Sequence, residues 1–478
     1  MAFLTQWPLE DICSNLSLSQ LGTGVLVFYL AYRYVAACQA RSKLDKIPTV
    51  GHDGIISSYL TAWRTFTDGF KLIEEGCRKY PGGAFKIPTL TGWQVVVNGP
   101  VLINDLRRAT DEELSANQAL CEDLQASYTM SPALGIKSYH ADVARTPLTR
   151  NIVSHFDDIL DETCAAFADN IPLQDDWVEI PVVRRIQNVV VRISNRVFVG
   201  LPLCRDPDWC DLIIQFTIDV TVNATIIHLF PKILHPIVGR IFTTKNRTMR
   251  RTMRHLGPII KQRLETGERP MVFTHALYHL AANPELIRPL RREVENVVEN
   301  GEGWTKRAML QLRLVDSFLK ESQRRVGLTM LTISRIALKD FKFSDPDGTV
   351  VPAGARVAAA GHYAHTNEET YPTPSDFVPF RFAEMEHPEN TKRHGHDQMV
   401  TTTPDWLLFG GGKHACPGRF FAVTKLKVMF AHLILNYDVK FRQDGAGFPP
   451  AVQFGSVMSP NPDVKVMFRK RDRNEMEL

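Results

Sequence analysis

The sequence predicts a mainly helical fold that carries small β-sheets. From about residue 147 to residue 325, apolar residues recur at helical spacing in long stretches such as HFDDILDETCAAFADNI and ELIRPLRREVENVVEN. Short runs of β-branched and aromatic residues, such as GAFKIPT and LTISRIALKDFKF, lie before and after this region. The 478 residues are enough for one large body of this kind.

The elements of this body follow in a definite order. GAFKIPT and WQVVVNG predict two strands, and VLINDLRRAT predicts the helix after them. The long helices come next, and TVVPAGARVAAAG predicts a return to short strands. KLKVMFAHLILNYDV predicts a helix near the C-terminal end.

Composition excludes several classes of protein. The net charge of +4 is small for this length and gives no reason to expect a nucleic-acid partner. The eight cysteines are scattered without a C-x-x-C pair or a zinc spacing, which predicts a reduced body that faces the cytosol. Cys204 and Cys210 lie close together, but RDPDW between them is typical of a turn and carries no ligand partner.

An apolar, aromatic segment near the N-terminus predicts a membrane anchor. Residues 21–38 are long enough to approach a bilayer span, and the basic residues after them favour a cytosolic body at the endoplasmic reticulum membrane. A cleaved signal peptide is the alternative, which the lack of a basic start in residues 1–20 disfavours. Because Arg33 interrupts the segment, a helix lying in the membrane interface also stays open. The predicted division is a lead at 1–20, the anchor at 21–38, a linker at 39–51, the main body at 52–469 and a tail at 470–478.

The chemistry is concentrated in residues 409–418, FGGGKHACPG, which fit the pattern F-x-x-G-x-x-x-C-x-G. Gly412 and Gly418 let the backbone approach a flat cofactor closely, and Phe409 can keep water from the sulfur of Cys416. A helix that begins just after Cys416, with Pro417 in its first turn, would favour a thiolate that ligates haem iron. The alternative is a glycine-rich turn with a buried free cysteine.

This segment resembles the haem-binding loop of the cytochromes P450, and two further family motifs precede it. E-x-x-R occurs at residues 321–324, and PFRF at residues 379–382 matches the family's P-x-R-F. The resemblance implies a cytochrome P450 fold and a buried triad of Glu321, Arg324 and Arg381 that supports the haem loop without taking part in the chemistry.

The resemblance also implies a cofactor, haem b, and partners. By the family pattern His414 and Arg335 hold the haem propionates, and Arg145 is a weaker third; solvated helix residues are the alternative for Arg145. NADPH-cytochrome P450 reductase would supply two electrons, and O2 would oxidise a hydrophobic small molecule. The sequence around these motifs most resembles that of fungal ent-kaurene-oxidase-like enzymes, which oxidise terpenoids. The basic residues expected either to meet an acidic reductase face or to form an ordinary solvated face are Lys413, Arg419, Lys425 and Lys427.

One departure from the family concerns oxygen activation. The family's long helix across the distal haem face, with its A-G-x-x-T pattern, is not found, and KQRLETGERP passes directly into MVFTHALYHLAANPE. Residues 271–282 would make only about 18 Å of helix at about 1.5 Å per residue. No catalytic residue is therefore identified. The chain is either a mis-spliced or mis-predicted product of a monooxygenase gene, or a natural form that binds haem without oxygenase activity or rearranges its substrate without reductase.

Overall fold

A helical body packed beside a five-stranded sheet confirms the prediction of a mainly helical fold with small sheets. The computed structural model describes residues 43–54, 57–89, 92–132, 155–230, 232–260, 271–299, 301, 303–327, 329–384, 398–443, 445–454 and 457–472. The predicted anchor at residues 21–38 lies outside these described residues.

Strands at 84–89 and 92–97 and helices at 100–108, 156–170 and 419–436 match predicted segments. The helices are α1 Ser57–Lys79, α2 Pro100–Arg108, α3 Ala116–Asp123, α4 Ala126–Thr129, α5 Phe156–Asn170, α6 Val182–Phe198, α7 Pro207–His228, α8 His235–Phe242, α9 Lys245–Ile260, α10 Met271–Ala282, α11 Ile287–Val294, α12 Lys306–Gln311, α13 Arg313–Val326, α14 Gly361–His365, α15 Arg381–Glu384 and α16 Arg419–Asn436. The strands are β1 Ala84–Thr89, β2 Gly92–Val97, β3 Leu114–Ser115, β4 Val178–Pro181, β5 Thr332–Ala337, β6 Phe341–Lys342, β7 Val350–Val351, β8 Arg356–Ala359, β9 Tyr437–Lys440, β10 Val452–Phe454, β11 Val457–Ser459 and β12 Lys465–Lys470.

The largest sheet has the strand order β1-β2-β8-β5-β3. Strands β2 and β8 run parallel, and the other neighbouring pairs are antiparallel. Val95 and Val97 pack on one face with Leu106 of α2, whereas Val96 packs on the other face with Leu72 of α1. Because both faces are covered, the strand is apolar at successive positions and does not alternate with polar residues.

The second half of the predicted linker packs against this sheet. Leu44, Ile47 and Val50 are buried, and the Val50 amide donates to the carbonyl of Lys86, N···O 3.0 Å. The Nζ of Lys86 donates in turn to the carbonyl of Leu44, 2.7 Å. Residues 44–50 therefore belong structurally to the body.

The main hydrophobic core lies among α5, α6, α10, α11, α13 and α16. α16 contributes Val428, Met429 and Phe430, none of which has exposed surface. The helix continues into β9, which pairs antiparallel with β12. A rigid core helix thus follows directly after the loop that contains Cys416.

The segment between Cys204 and Cys210 is not only a turn, because it starts a helix. Asp206 caps α7 by accepting a hydrogen bond from the Trp209 amide, 2.8 Å. Burial raises the pKa of Cys204 to about 11 and that of Cys210 to about 12, so both behave as small buried residues. Among the described helices, α7 is long and apolar enough to cross a membrane. Core helices of soluble proteins meet the same criterion of length and composition.

Candidate haem-binding site

The predicted haem loop, residues 409–418, is closed by its own backbone. The amide of Cys416 donates to the carbonyl of Phe409, N···O 2.8 Å, and the Cys416 residue is exposed. Gly418 is the N-cap of α16, which begins at Arg419. Pro417 therefore precedes the cap, and its predicted place in the first helical turn is wrong by two positions.

Two glycines of the loop have backbone conformations that require glycine. Gly410 has φ +69° and Gly412 has φ +65°. A Cβ at Gly412 would also lie 2.0 Å from the carbonyl oxygen of Arg107 in α2. A Cβ at Gly418 would meet no described atom within 4 Å, so the space beside this residue is open.

Two candidate propionate ligands lie near the same carboxylate. Arg335 of β5 is 5% exposed, and its Nε has no hydrogen-bond partner among the described residues. Burial lowers the pKa of Arg335 to about 10, and the negative charge of Asp111 opposes this effect. The Nε2 of His414 is hydrogen-bonded to Asp111. Arg145, the third candidate, lies outside the described residues.

Sequence reasoning missed Arg107 and Asp111. The Nη2 of Arg107 donates to the carbonyl of Thr402, 3.1 Å, while its Nε is buried without a described partner. Burial lowers the pKa of this guanidinium. Asp111 accepts a hydrogen bond from the Nζ of Lys413 at 2.7 Å, a contact across 302 positions of the chain. The only sequence signal is the charged run LRRATDEE, which carries no spacing that relates it to Cys416.

The structure brings Glu321, Arg324 and Arg381 together in the interior. The Nε and Nη2 of Arg324 donate to the two carboxylate oxygens of Glu321 at 2.8 and 2.9 Å. The Nε of Arg381 donates to the same carboxylate at 3.3 Å, and the Val378 amide donates to it at 3.0 Å. Arg324 and Glu321 have no exposed surface, so the shared hydrogen bonds compensate for charge that water cannot reach.

His365 connects this triad to the haem loop. Its carbonyl accepts a hydrogen bond from the Nη1 of Arg324, 3.0 Å. Its ring Nε2 accepts one from the amide of Leu407, 2.8 Å, two residues before the loop. The contacts therefore fit a triad that positions the loop through α14.

Two of the lysines predicted to face a reductase are in the core. Lys425 is 4% exposed and donates to the Oγ of Ser194, 3.0 Å. Lys427 is also 4% exposed, and its Nζ lies 2.7 Å from the carboxylate of Asp316. The prediction for Lys425 and Lys427 is wrong because α16 is covered by other helices; Lys413 remains exposed.

The helix α10 is short and enclosed. It has twelve residues, and all side chains from Val272 to Ala281 are buried. Neither ring nitrogen of His275 has a hydrogen-bond partner among the described residues. The ring of His279 is stacked between Phe377 and Phe448, with centroid distances of 3.9 and 4.1 Å. Packing on all sides fixes α10 in its present register.

The residues present fit a haem group. Cys416 is an exposed residue of the glycine-rich loop, and the space beside Gly418 is open. Arg335 and Arg107 each have a buried Nε without a described partner, as expected for cations that await a carboxylate. Haem supplies both the iron for the sulfur and the propionates for the cations.

Comparisons with known proteins give the same family. The model of the cytochrome P450 family matches residues 270–468. Cytochrome P450 monooxygenase 151 of Postia placenta is 37% identical over 94% of this chain and 97% of its own length. A cytochrome P450 monooxygenase of Ganoderma lucidum is 30% identical over 90% of this chain and 92% of its own length.

Both relatives contain residues that this chain lacks. The alignment with the Postia protein spans 496 positions, yet 94% of 478 residues is about 449, so about 47 positions have no counterpart here. The Ganoderma alignment spans 477 positions against about 430 residues of this chain, which also leaves about 47. Since the Postia relative is matched over nearly its whole length at 37% identity, this chain belongs to the cytochrome P450 family of haem-thiolate monooxygenases.

Proposed function

We propose that this chain binds haem b with the Cys416 thiolate as the axial ligand and that it catalyses the oxidation of a hydrophobic small molecule. A terpenoid or another secondary metabolite is the proposed substrate class. The observation that carries the proposal is the exposed Cys416 in a glycine-rich loop, and the buried Arg335, whose Nε has no described partner, supports it.

The protein's own residues would hold and shield the cofactor. Arg335, His414 and Arg145 are proposed to bind the propionates, and Arg107 adds a fourth candidate. Phe409, which packs against the main core, would exclude water from the sulfur side. Bound haem supplies the iron that activates O2, and a thiolate ligand favours cleavage of the O–O bond.

NADPH-cytochrome P450 reductase is the proposed electron donor. The exposed Lys413 and the partly exposed Arg419 remain as basic residues beside the loop. Arg419 lies over the ring of Phe420, which is itself 41% exposed. A basic and apolar surface of this kind suits an acidic protein face.

Residues 21–38 are the proposed anchor at the endoplasmic reticulum membrane. Removing residues 1–42 should release the protein into the soluble fraction, because this truncation keeps Leu44, the first buried residue of the described chain. Removing residues 1–20 alone is the matched control and should leave it attached. Attachment of the longer truncation that resists carbonate extraction would show that another element anchors the protein.

A second candidate function is haem binding without efficient oxygenation. It is favoured by the gap of about 47 positions that the relatives have and this chain lacks. We place this gap before α10, where the family's distal helix should run. Proton delivery to bound oxygen requires positioned polar groups. Moving Thr274 or His275 over the iron would require α10 to slide, although all its side chains from Val272 to Ala281 are buried.

The test is to restore the missing segment from the Postia relative before Met271. Haem content and product formed per NADPH consumed are then compared with those of the chain as it stands. We expect poor coupling and peroxide from the present chain, and higher coupling after restoration. A control graft has the polar residues of the inserted helix replaced by alanine. Equal coupling in all three proteins would contradict the proposal, and turnover without NADPH would favour a rearrangement enzyme.

A further inference from the structure

The carboxylate of Asp111 contacts two side chains of the haem loop, Lys413 and His414. Asp111, in the turn after α2, accepts a hydrogen bond from the Nζ of Lys413 at 2.7 Å and is hydrogen-bonded to the Nε2 of His414. Its negative charge also acts on the guanidinium of Arg335. Two of these three groups, His414 and Arg335, are the proposed propionate ligands.

We propose that Asp111 competes with a haem propionate for these cations and so weakens the binding of haem. This inference rests on the proposed haem site. Asp111 would then set how readily the cofactor is exchanged, because its carboxylate already holds His414, which the propionate would also need as a donor.

The different burial of Asp111 and Arg335 indicates which anion would move to solvent when haem binds. The Asp111 side chain is 45% exposed, so water can solvate its carboxylate when it turns away. Arg335 is only 5% exposed, and its Nε has no described partner, so water cannot replace an anion there. A propionate that binds Arg335 and His414 would therefore displace Asp111 from His414 towards solvent.

The charges beside the haem loop also predict that Asp111 weakens haem binding. Lys413 and Arg335 are cationic and Asp111 is anionic; the hydrogen bond from Lys413 is the main cause that holds the pKa of Asp111 below its usual range. Haem brings two propionate charges to this region. Removing the Asp111 charge removes a like charge from the neighbourhood of the propionates.

The opposite role is that Asp111 positions His414 for the propionate. In that case the neutral variant would bind haem more weakly, because His414 would lose its orienting partner. Competition and positioning therefore predict opposite signs for the same substitution.

The experiment uses the full chain, expressed without haem, with Asp111→Asn and Glu113→Gln. Glu113 is the matched control, because it lies in the same turn but pairs with Lys339 at 3.3 Å, away from the loop. Each protein is titrated with haem while the Soret band is followed, and haem release is timed by transfer to apomyoglobin. We expect D111N to lower the dissociation constant roughly three- to tenfold and E113Q to leave it unchanged. The difference should shrink at high salt.

Haem dimethyl ester, whose propionates carry no charge, distinguishes the cause. D111N should give no gain with this ester. An equal gain with haem and with the ester would overturn the proposal, and so would weaker or unchanged haem binding by D111N. No Soret band with any of the three proteins would overturn both proposals, whereas equal affinities with an intact thiolate band would overturn this one alone.

Discussion

At the scale of single residues, Arg324 is a charged side chain whose burial depends on many hydrogen bonds. Its guanidinium is fully buried and donates to Glu321 and to the carbonyls of His365, Pro374 and Asp376. Arg324→Ala would leave the Glu321 carboxylate buried with only part of its partners. We expect a loss of about 3–5 kcal/mol in the free energy of unfolding, measured by urea denaturation.

The matched control is Arg313→Ala, an exposed arginine at the start of the same helix. It should change the unfolding free energy by no more than about 0.5 kcal/mol. Haem content should fall with R324A and not with R313A, since the Arg324 contacts lead to the haem loop through His365. Equal stability of the two variants would show that the triad does not support the loop.

Some of the site residues could be found from the sequence, and others could not. Glu321 and Arg324 lie three positions apart on one helix, so a short motif indicates their contact. Arg107 and Asp111 reach residues about 300 positions away, and such contacts leave no trace in local spacing. Their partners depend on how α2 packs against the loop, which only the tertiary structure gives.

At the scale of elements, α16 shows where pattern reasoning failed. Its helical character was predictable, but its sequence is apolar on all sides, so no exposed face could be identified. Lys425 and Lys427 were expected on the surface because lysine is almost always there. Both instead reach buried oxygen acceptors of neighbouring helices and loops.

The ion pair between Lys427 and Asp316 gives a test of this correction. Lys427→Met should lower the unfolding free energy by about 3–5 kcal/mol, because the Asp316 carboxylate stays buried without its cation. The double variant with Asp316→Asn should recover part of this loss. If Lys427 were a surface residue, K427M would have almost no effect on the urea midpoint. Lys413→Met, at an exposed position beside the loop, is the control for such a surface change.

At the scale of the whole molecule, buried histidines predict acid sensitivity. Burial lowers the pKa of several described histidines below the usual value near 6.5. The shift is large for His275, to about 4, and for His279, to about 3, and it is also large for His362, His365 and His432. The unfolded chain binds protons below about pH 6.5, whereas the native chain does not until much lower pH. The stability from these neutral histidines is therefore complete above pH 6.5 and is lost as the pH falls towards their native pKa values.

Each histidine should contribute a slope of about 1.4 kcal/mol per pH unit within that window. His279→Phe would keep a ring between Phe377 and Phe448 and remove one titrating group. Urea midpoints at pH 7.5, 6.0 and 5.0 should fall less steeply for H279F than for the parent protein. Identical slopes for H279F and the parent would contradict the assignment of a neutral, buried His279.

The relation between the loop and the cofactor is tested most directly by the carbon monoxide difference spectrum of the reduced protein. The parent chain reconstituted with haem should give a thiolate-type Soret band, because Cys416 supplies the axial sulfur. Cys416→Ser should abolish that band, and Cys164→Ser, which removes another exposed thiol, should retain it. A thiolate-type band that persists unchanged in C416S would contradict the account.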